Sequence, residues 1–540
     1  MKIKKQFQKL LPGLILYSLV FVRYLYYGTQ YFHQLDDYIQ YHNYTFFTED
    51  LWQLVLDLGM LASRPAAGPA DLFVWSNFFG VMLLAVAILS ALYTATGLLL
   101  RDIFRKYFKI SWLFAVIFAL LPLGFEGTYW VSASSRVVCG LFFTVLGAWF
   151  LQRYWDGGHW WLLFPAMLLQ LFGSCFYEQA LVFSVTLFVL MGLLNWKCLR
   201  LKALWGGFPI LNALLYFILT SFAPTGAYSA RMELVLPKSA YYFDTFLPDI
   251  LGQLKAVFWD GGWLTTLKGF WRGLCIMAED GAILFALLLL VLCGLFGFAI
   301  SRQGEAPQKG RLPTAVLVGF LLALAPVTPF LVIANPWFSV RGAVASFAGI
   351  ALVADAVLTA LWSKCRKEQV FSSIIAAATA LVFCVGGVAE LHDYKQTHED
   401  DHKVADAILE QIDLSDPAMR IGLLGVEKSF LEEQTFTHNE HIHGVTESNW
   451  ALTGLLQYRT KNESLPTVVP LQTQNIYRAW NYESNRIDGF DRLYYYDHAS
   501  GQFTPLRYEQ TAERAFDLFL EDGTLFGRVE EQDGQARLIK

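Results

Sequence analysis

Two adjacent carboxylates, Asp36 and Asp37, stand in Leu35-Asp36-Asp37-Tyr38, a few residues beyond the first apolar run of the chain. A helix end has no need of two acids there. An enzyme that activates a hydroxyl does need a carboxylate within hydrogen-bond reach of the proton it removes. The plain alternative is a solvated loop. If the bond broken releases a phosphate, the charge that develops also needs fixed cations or donors, and three arginines answer that need. Arg64 lies in Ser63-Arg64-Pro65, and Arg136 follows Tyr129-Trp130-Val131-Ser132-Ala133-Ser134-Ser135. Arg341 closes the otherwise uncharged Asn335-Pro336-Trp337-Phe338-Ser339-Val340. Arg341 fits best, because a guanidinium meets phosphate oxygens two at a time. For Arg64 and Arg341 the plain alternative is headgroup contact or an ion pair, and for Arg136 a flanking charge.

Tyr38, beside the acids, and Trp130, whose ring can stack on a sugar, complete the aromatic candidates. Glu178, in Cys175-Phe176-Tyr177-Glu178-Gln179, is an acid in a tight turn between apolar runs, where ionisable groups are costly and often functional. Its alternative is a simple ion pair with a neighbouring arginine. His438, His441 and His443 with Glu440 between them offer metal-ligand chemistry in principle, but a solvated cluster accounts for them as well, and no metal is expected.

These residues must be held by a mostly apolar chain. Of 540 residues, 55% are hydrophobic and only 16% charged, against the roughly 25% charged residues of a soluble protein. Apolar runs begin near Leu10, Leu72, Ile110, Val137, Trp160, Ala180, Ala203, Gly281, Pro313, Gly342 and Val370. Each approaches the length of a spanning helix, so the sequence predicts eleven transmembrane helices. With the N-terminus in the cytoplasm, the inner junctions collect the basic residues, as the positive-inside rule requires. They hold Arg101, Arg105, Lys106 and Lys109, then Arg153, then Lys197, Arg200 and Lys202, then Arg302, Lys309 and Arg311, then Lys364, Arg366 and Lys367. The pair of runs at Trp160 and Ala180 is the weakest, separated only by the turn at 173–178. A net charge of -5, with basic residues in short clusters between apolar runs, argues against a nucleic-acid partner. None of the seven cysteines lies after Leu391, so the tail is no disulfide scaffold. The basic N-terminus leads into a retained first span, not a cleaved signal peptide.

The expected architecture is therefore an all-α polytopic membrane bundle over residues 1–390, followed by a small extracytoplasmic α/β domain over 391–540. Polar sequence on the outer side gathers in loops 28–70 and 223–280 and in that domain. Phe47, Leu51, Leu54, Leu58 and Leu61 make one face of a surface-lying helix in the first loop. The second loop is rich in aromatic residues, among them Trp259, Trp263 and Trp271, and suits short helices at headgroup level. Strand-like pieces follow at 420–425, 492–496 and 524–529, after a helix-like stretch at 398–412.

An acidic pair after the first span, with Ser63-Arg64-Pro65 after an interfacial helix, resembles the GT-C superfamily of membrane glycosyltransferases. Bacterial glucosyltransferases that modify surface polysaccharide look most similar. The resemblance covers the membrane part of the chain and implies a cell-membrane enzyme that moves a sugar from a polyprenyl-phosphate carrier to an outer-surface glycan or lipid-linked acceptor. It implies Asp36 or Asp37 as general base, and Arg64, Arg136, Glu178, Arg341, Tyr38 and Trp130 as substrate contacts. It implies no cofactor; a divalent cation on the acidic pair is chemically possible but nothing in the sequence calls for one. A transporter or lipid flippase is the reading from another class, expected to show charges or broken helices within several spans. A polysaccharide polymerase or ligase is the third, weakened by the lack of histidine in loop 223–280.

Overall fold

The computed structural model describes residues 2–540 apart from 206, 208–210, 227–233, 304–310, 335, 363–366, 428–442, 474–485 and 533–534; for 2–8 and 197–205 it describes the backbone alone. Lys309, Asn335, Lys364, Arg366, His438, Glu440 and His441 thus lie outside the described residues. The chain forms two compact units. Unit 1 comprises Met1–Tyr31 and Asp50–Leu391; unit 2 comprises Phe32–Glu49 and His392–Lys540. The segment that carries the acidic pair, read from the sequence as part of a loop of the membrane bundle, packs with the C-terminal residues.

Unit 1 is helical. Among the described residues seven helices are long and apolar enough to cross a membrane: Trp75–Phe104, Val131–Trp155, Glu178–Trp196, Ile283–Ser301, Leu312–Leu331, Val340–Trp362 and Glu368–Gln411. This falls short of the eleven read from the sequence, for local reasons. Two apolar runs form only the shorter helices Trp160–Ser174 and Leu211–Ser221. The run that begins near Ile110 breaks: Leu113–Leu120 is helical, Pro122–Gly124 is a 3-10 turn and Glu126–Tyr129 is one further helical turn. Pro122 cannot donate to the ladder and starts a new turn. Every residue of these three pieces is buried, which is the condition under which irregular backbone is tolerated at membrane depth. Asp355, fully buried, receives the Ser111 N–H at 2.8 Å and the Ser111 hydroxyl at the start of the broken stretch. The Lys2–Val22 helix carries its lysines in the first turns and is apolar from Leu10.

Exposure of apolar side chains follows the helices. Ile283–Ser301 has the highest mean hydropathy, 3.0, and only 28% of its apolar window is buried; Ile283, Leu284, Leu290 and Val291 all point outward. Such a face suits hydrocarbon and not water. Helices 312–331 and 340–362 instead touch backbone to backbone. A Cβ on Gly349 would come within 2.2 Å of the Gly319 carbonyl oxygen and 2.3 Å of the Ala323 nitrogen. Small residues permit this approach, and close van der Waals packing is what joins helices where apolar burial gives no advantage.

The two polar loops are also helical in part. Leu51–Asp57 starts at Asp50, whose carboxylate caps the Gln53 N–H at 2.9 Å, and it ends at Gly59, which has φ +66°. The expected single amphipathic helix is therefore two short ones, Leu51–Asp57 and Met60–Ser63, bent where Gly59 meets the Gly226 backbone. Residues 242–279 are helical almost throughout, with Trp259, Trp263 and Trp271 exposed.

Unit 2 contains a seven-stranded sheet in the order β2-β1-β3-β4-β5-β6-β7. The strands are β1 (Arg420–Leu424), β2 (Thr467–Leu471), β3 (Arg492–Asp497), β4 (Gln502–Ala512), β5 (Ala515–Phe519), β6 (Leu525–Gln532) and β7 (Gln535–Ile539). β1 runs parallel to both β2 and β3, and the remaining pairs are antiparallel. The strand-like pieces read from the sequence correspond to β1, β3 and β6. Leu424, Leu471, Leu493, Leu506, Leu518 and Val529 form the core of the sheet. The Asn449–Thr460 helix, which lies between β1 and β2 in sequence, buries Ala451, Leu452, Leu455 and Leu456. The last turns of Glu368–Gln411 bury Val404, Ala405 and Ile408.

The Gly349 contact predicts that Gly349→Ala forces the two helices apart. The expected outcome is a loss of about 1–3 kcal/mol, read as a lower melting temperature of the detergent-solubilised protein, whereas Gly192→Ala, in open space, leaves it unchanged.

Candidate functional site

In unit 2, the acids sit on a tight, strained turn. Leu35 has φ +34°, a region that a branched side chain adopts only when its surroundings impose it. The Asp37 N–H donates to the Gln34 carbonyl at 2.8 Å, and the Gln34 N–H donates back to Asp37 Oδ2 at 3.1 Å. Gln34 is tied in turn to the Tyr394 carbonyl at 3.2 Å. Asp37 is thus fully buried and builds the turn. Asp36 is half-buried. Its Oδ1 accepts a long, 3.4 Å bond from the indole N–H of Trp450, and its Oδ2 has no hydrogen bond among the described residues.

A π-helical segment, Tyr38–Asn43, follows the acids and rests on the Asn449–Thr460 helix. A Cβ on Gly454 would stand 3.1 Å from both Tyr38 Cβ and the Tyr38 carbonyl oxygen. Asn43 also donates to Gln457. Tyr38 Oη lies 3.0 Å from His402 Nε2, and Arg459 donates to His402 Nδ1 at 2.9 Å while also binding Asp406. An arginine can only donate, so Nδ1 is the acceptor and His402 carries its proton on Nε2, directed at Tyr38. Burial, helped by the negative charges of Asp401 and Asp37, pushes the Tyr38 phenol well above its ordinary range, so Tyr38 stays neutral. Burial and Lys461 push His42 down to about 4. Neither Trp450, Arg459 nor His402 stands out in the sequence, because nothing local marks them.

Unit 1 gathers the arginines. Arg136 makes two bonds, of 3.0 and 2.9 Å, to Asp71 Oδ2, and the Ser135 hydroxyl donates to Oδ1 at 3.0 Å. Asp71 is buried; burial raises its carboxyl above the usual range although Arg136 and, more weakly, Arg64 pull it down. Arg64 itself pairs with Glu178 at 3.0 Å and lies over the Tyr177 ring. The ion-pair alternative for Arg64 and Glu178 is therefore what the structure contains, and Arg136, read as at most a flanking charge, is also paired.

Arg341 is held differently. Its guanidinium lies over the Trp130 ring, 5.1 Å from the centroid. The segment before it is clamped by Gln253, which accepts the Phe338 N–H at 2.8 Å and donates to the Pro336 carbonyl at 3.1 Å. The residue after it, Gly342, offers its carbonyl to Gln179 at 2.9 Å. Trp130 is 1% exposed and one face carries Arg341, so its ring is packing material and not an open stacking surface. Its indole N–H, the Ser134 hydroxyl and Gln179 Oε1 are buried without a hydrogen-bond partner among the described residues. Gln253 and Gln179 are the positioning residues that sequence reasoning missed; both are uncharged amides in apolar surroundings.

His443, the described member of the histidine group, pairs with Glu447 at 2.9 Å. Among the described residues no group of three or more His, Cys, Asp and Glu is placed to hold a metal ion.

No protein-family model matches the chain, and neither does any curated protein or solved structure.

The Arg136 geometry predicts that Asp71→Ala costs about 1.5–3 kcal/mol, the range for hydrogen bonds to a charged group, by removing the carboxylate that accepts two bonds from the part-buried guanidinium. The double variant Asp71→Ala/Arg136→Leu is expected to recover a large part of that loss in a thermal melt of the solubilised protein.

Proposed function

We propose that the protein is a membrane glycosyltransferase that transfers a sugar from a polyprenyl-phosphate carrier to a hydroxyl of a glycan or lipid-linked acceptor on the outer side of the membrane. The observation that carries the reading is the division of labour within the acidic pair. Asp37 is engaged in holding a strained turn, and Asp36 is left half-exposed with a carboxylate oxygen that has no hydrogen bond among the described residues. Strain of this kind collects at functional sites, and a carboxylate that retains a free oxygen can accept a proton. Seven apolar helices supply the setting for a lipid-borne substrate.

In this scheme the acceptor hydroxyl loses its proton to Asp36 as its oxygen attacks the anomeric carbon, and the bond from that carbon to the phosphate oxygen breaks with inversion at carbon. Arg341, clamped by Gln253 and Gln179, is a phosphate-binding candidate within unit 1. Arg64 is a second phosphate candidate through its remaining donors, since only its Nε is occupied by Glu178 in the ion pair. Arg136 is assigned to the structure through Asp71.

A transport function is the second reading, favoured by the broken 113–129 stretch and the buried Asp355 beside it. Discontinuous helices and buried charges are features of transporters. The two readings part on chemistry: a transporter moves the lipid-linked sugar without breaking the bond to phosphate.

Incubated with a panel of labelled polyprenyl-phosphate sugars, membranes holding the wild-type chain are expected to release label from the lipid fraction with one donor. Asp36→Asn lowers that release by about 100-fold or more, the range for loss of a general base, while the protein remains inserted. Undiminished release by Asp36→Asn, or label that changes leaflet without leaving the lipid, contradicts the glycosyltransferase reading.

A further inference from the structure

Trp450 is 51% exposed at the start of the Asn449–Thr460 helix, an unusual place for the largest apolar side chain in a unit that has a well-packed core of its own. Its indole N–H reaches Asp36 Oδ1 at 3.4 Å. Because an indole N–H can only donate, this bond engages one carboxylate oxygen and leaves Oδ2 open to a hydroxyl. Ring and carboxylate are held in register by two contacts further along the same helix. Gly454 lies against Tyr38, two residues from Asp36, and Gln457 receives Asn43. In the turn that leads into Trp450, the Thr446 and Ser448 hydroxyls are buried with no hydrogen-bond partner among the described residues.

An exposed aromatic face beside a half-exposed carboxylate has a specific ligand chemistry. The negative face of an indole attracts weakly positive C–H groups, and pyranose rings present such C–H groups on one face and hydroxyls at the rim. We infer that Trp450 is the stacking platform for the acceptor, so that unit 2 binds a pyranoside with its C–H face on the indole and one hydroxyl directed at Asp36 Oδ2. The inference rests on the reading of Asp36 as the general base and deepens it by naming the acceptor as a pyranoside and Trp450 as its binding residue. Stacking fixes the ring plane, and with it which hydroxyl meets the carboxylate; orientation of this sort accounts for a large share of the rate in a two-substrate reaction.

The experiment uses the full chain in lipid nanodiscs and saturation-transfer NMR with four probes: methyl α-D-glucopyranoside, methyl α-D-galactopyranoside, methyl α-L-rhamnopyranoside and methyl N-acetyl-β-D-glucosaminide. Transfer to one C–H face of at least one probe is expected, with a drop of about fivefold or more in Trp450→Ala, the range of one aromatic stacking contact. Trp450→Phe keeps most of the signal, which separates stacking from a folding defect. No transfer to any probe, or equal transfer in wild type and Trp450→Ala, overturns the inference. Donor turnover is measured on the same samples. Turnover that depends on Asp36 alongside glycoside binding that ignores Trp450 removes the inference and leaves the glycosyltransferase reading. Glycoside binding that depends on Trp450 alongside turnover indifferent to Asp36 removes that reading, and with it the assignment of the bound sugar as acceptor.

Discussion

Gly454 has no side chain, and Tyr38 fills the space that one would need. That contact joins residues more than four hundred positions apart and decides which compact unit the acidic pair belongs to. Once the Tyr38–Asn43 segment lies on the Asn449–Thr460 helix, the rest follows by hydrogen bonding. Tyr38 meets His402, Arg459 fixes the tautomer of His402, Gln34 is tied to the Tyr394 carbonyl, and Asp37 is drawn under to close the turn. The strain at Leu35 is sustained because each neighbour is independently anchored. Asp36 keeps an open oxygen because Asp37 performs the structural work beside it.

Unit 1 solves a different problem. Its helices, seven of them among the described residues long and apolar enough to cross a membrane, join through close contacts at glycines such as Gly319 and Gly349 and through buried polar pairs. Gln253 and Gln179 hold the backbone on either side of Arg341, while Trp130 supports its guanidinium. Arg136 is bound twice by Asp71, which the Ser135 hydroxyl also holds, so that the pair forms part of the scaffold.

Much of this was legible in sequence because it is local. Apolar runs mark most of the long helices, and short strand-like pieces mark β1, β3 and β6. The acidic pair is conspicuous after an apolar span. What escaped is non-local. Pro122 and Gly124 break the run that begins near Ile110, but only the tertiary burial of those pieces makes the break tolerable. Asp71 is a single acid at the edge of an apolar stretch, and nothing around it announces Arg136 as its partner. Strand β2 contains Pro470 and gives a weak strand signal. The 32–49 segment reads as a membrane-side loop because the helix it packs on is remote in the chain. Trp450 reads as an ordinary residue until Asp36 is seen beside it.

The central claim is that the C-terminal residues set the position of the acidic pair, and substitution at Gly454 tests it most directly. Gly454→Val drives new methyl groups toward Tyr38 without touching Asp36, Trp450 or any arginine. Transfer from labelled polyprenyl-phosphate sugars and equilibrium retention of the same lipids are measured together on the solubilised full chain. The account predicts that transfer falls by about 100-fold, as misplacement of a reacting group by an ångström allows, with lipid retention unchanged. Transfer at the wild-type rate contradicts it, because the acidic pair then works without the packing that this structure assigns to its support.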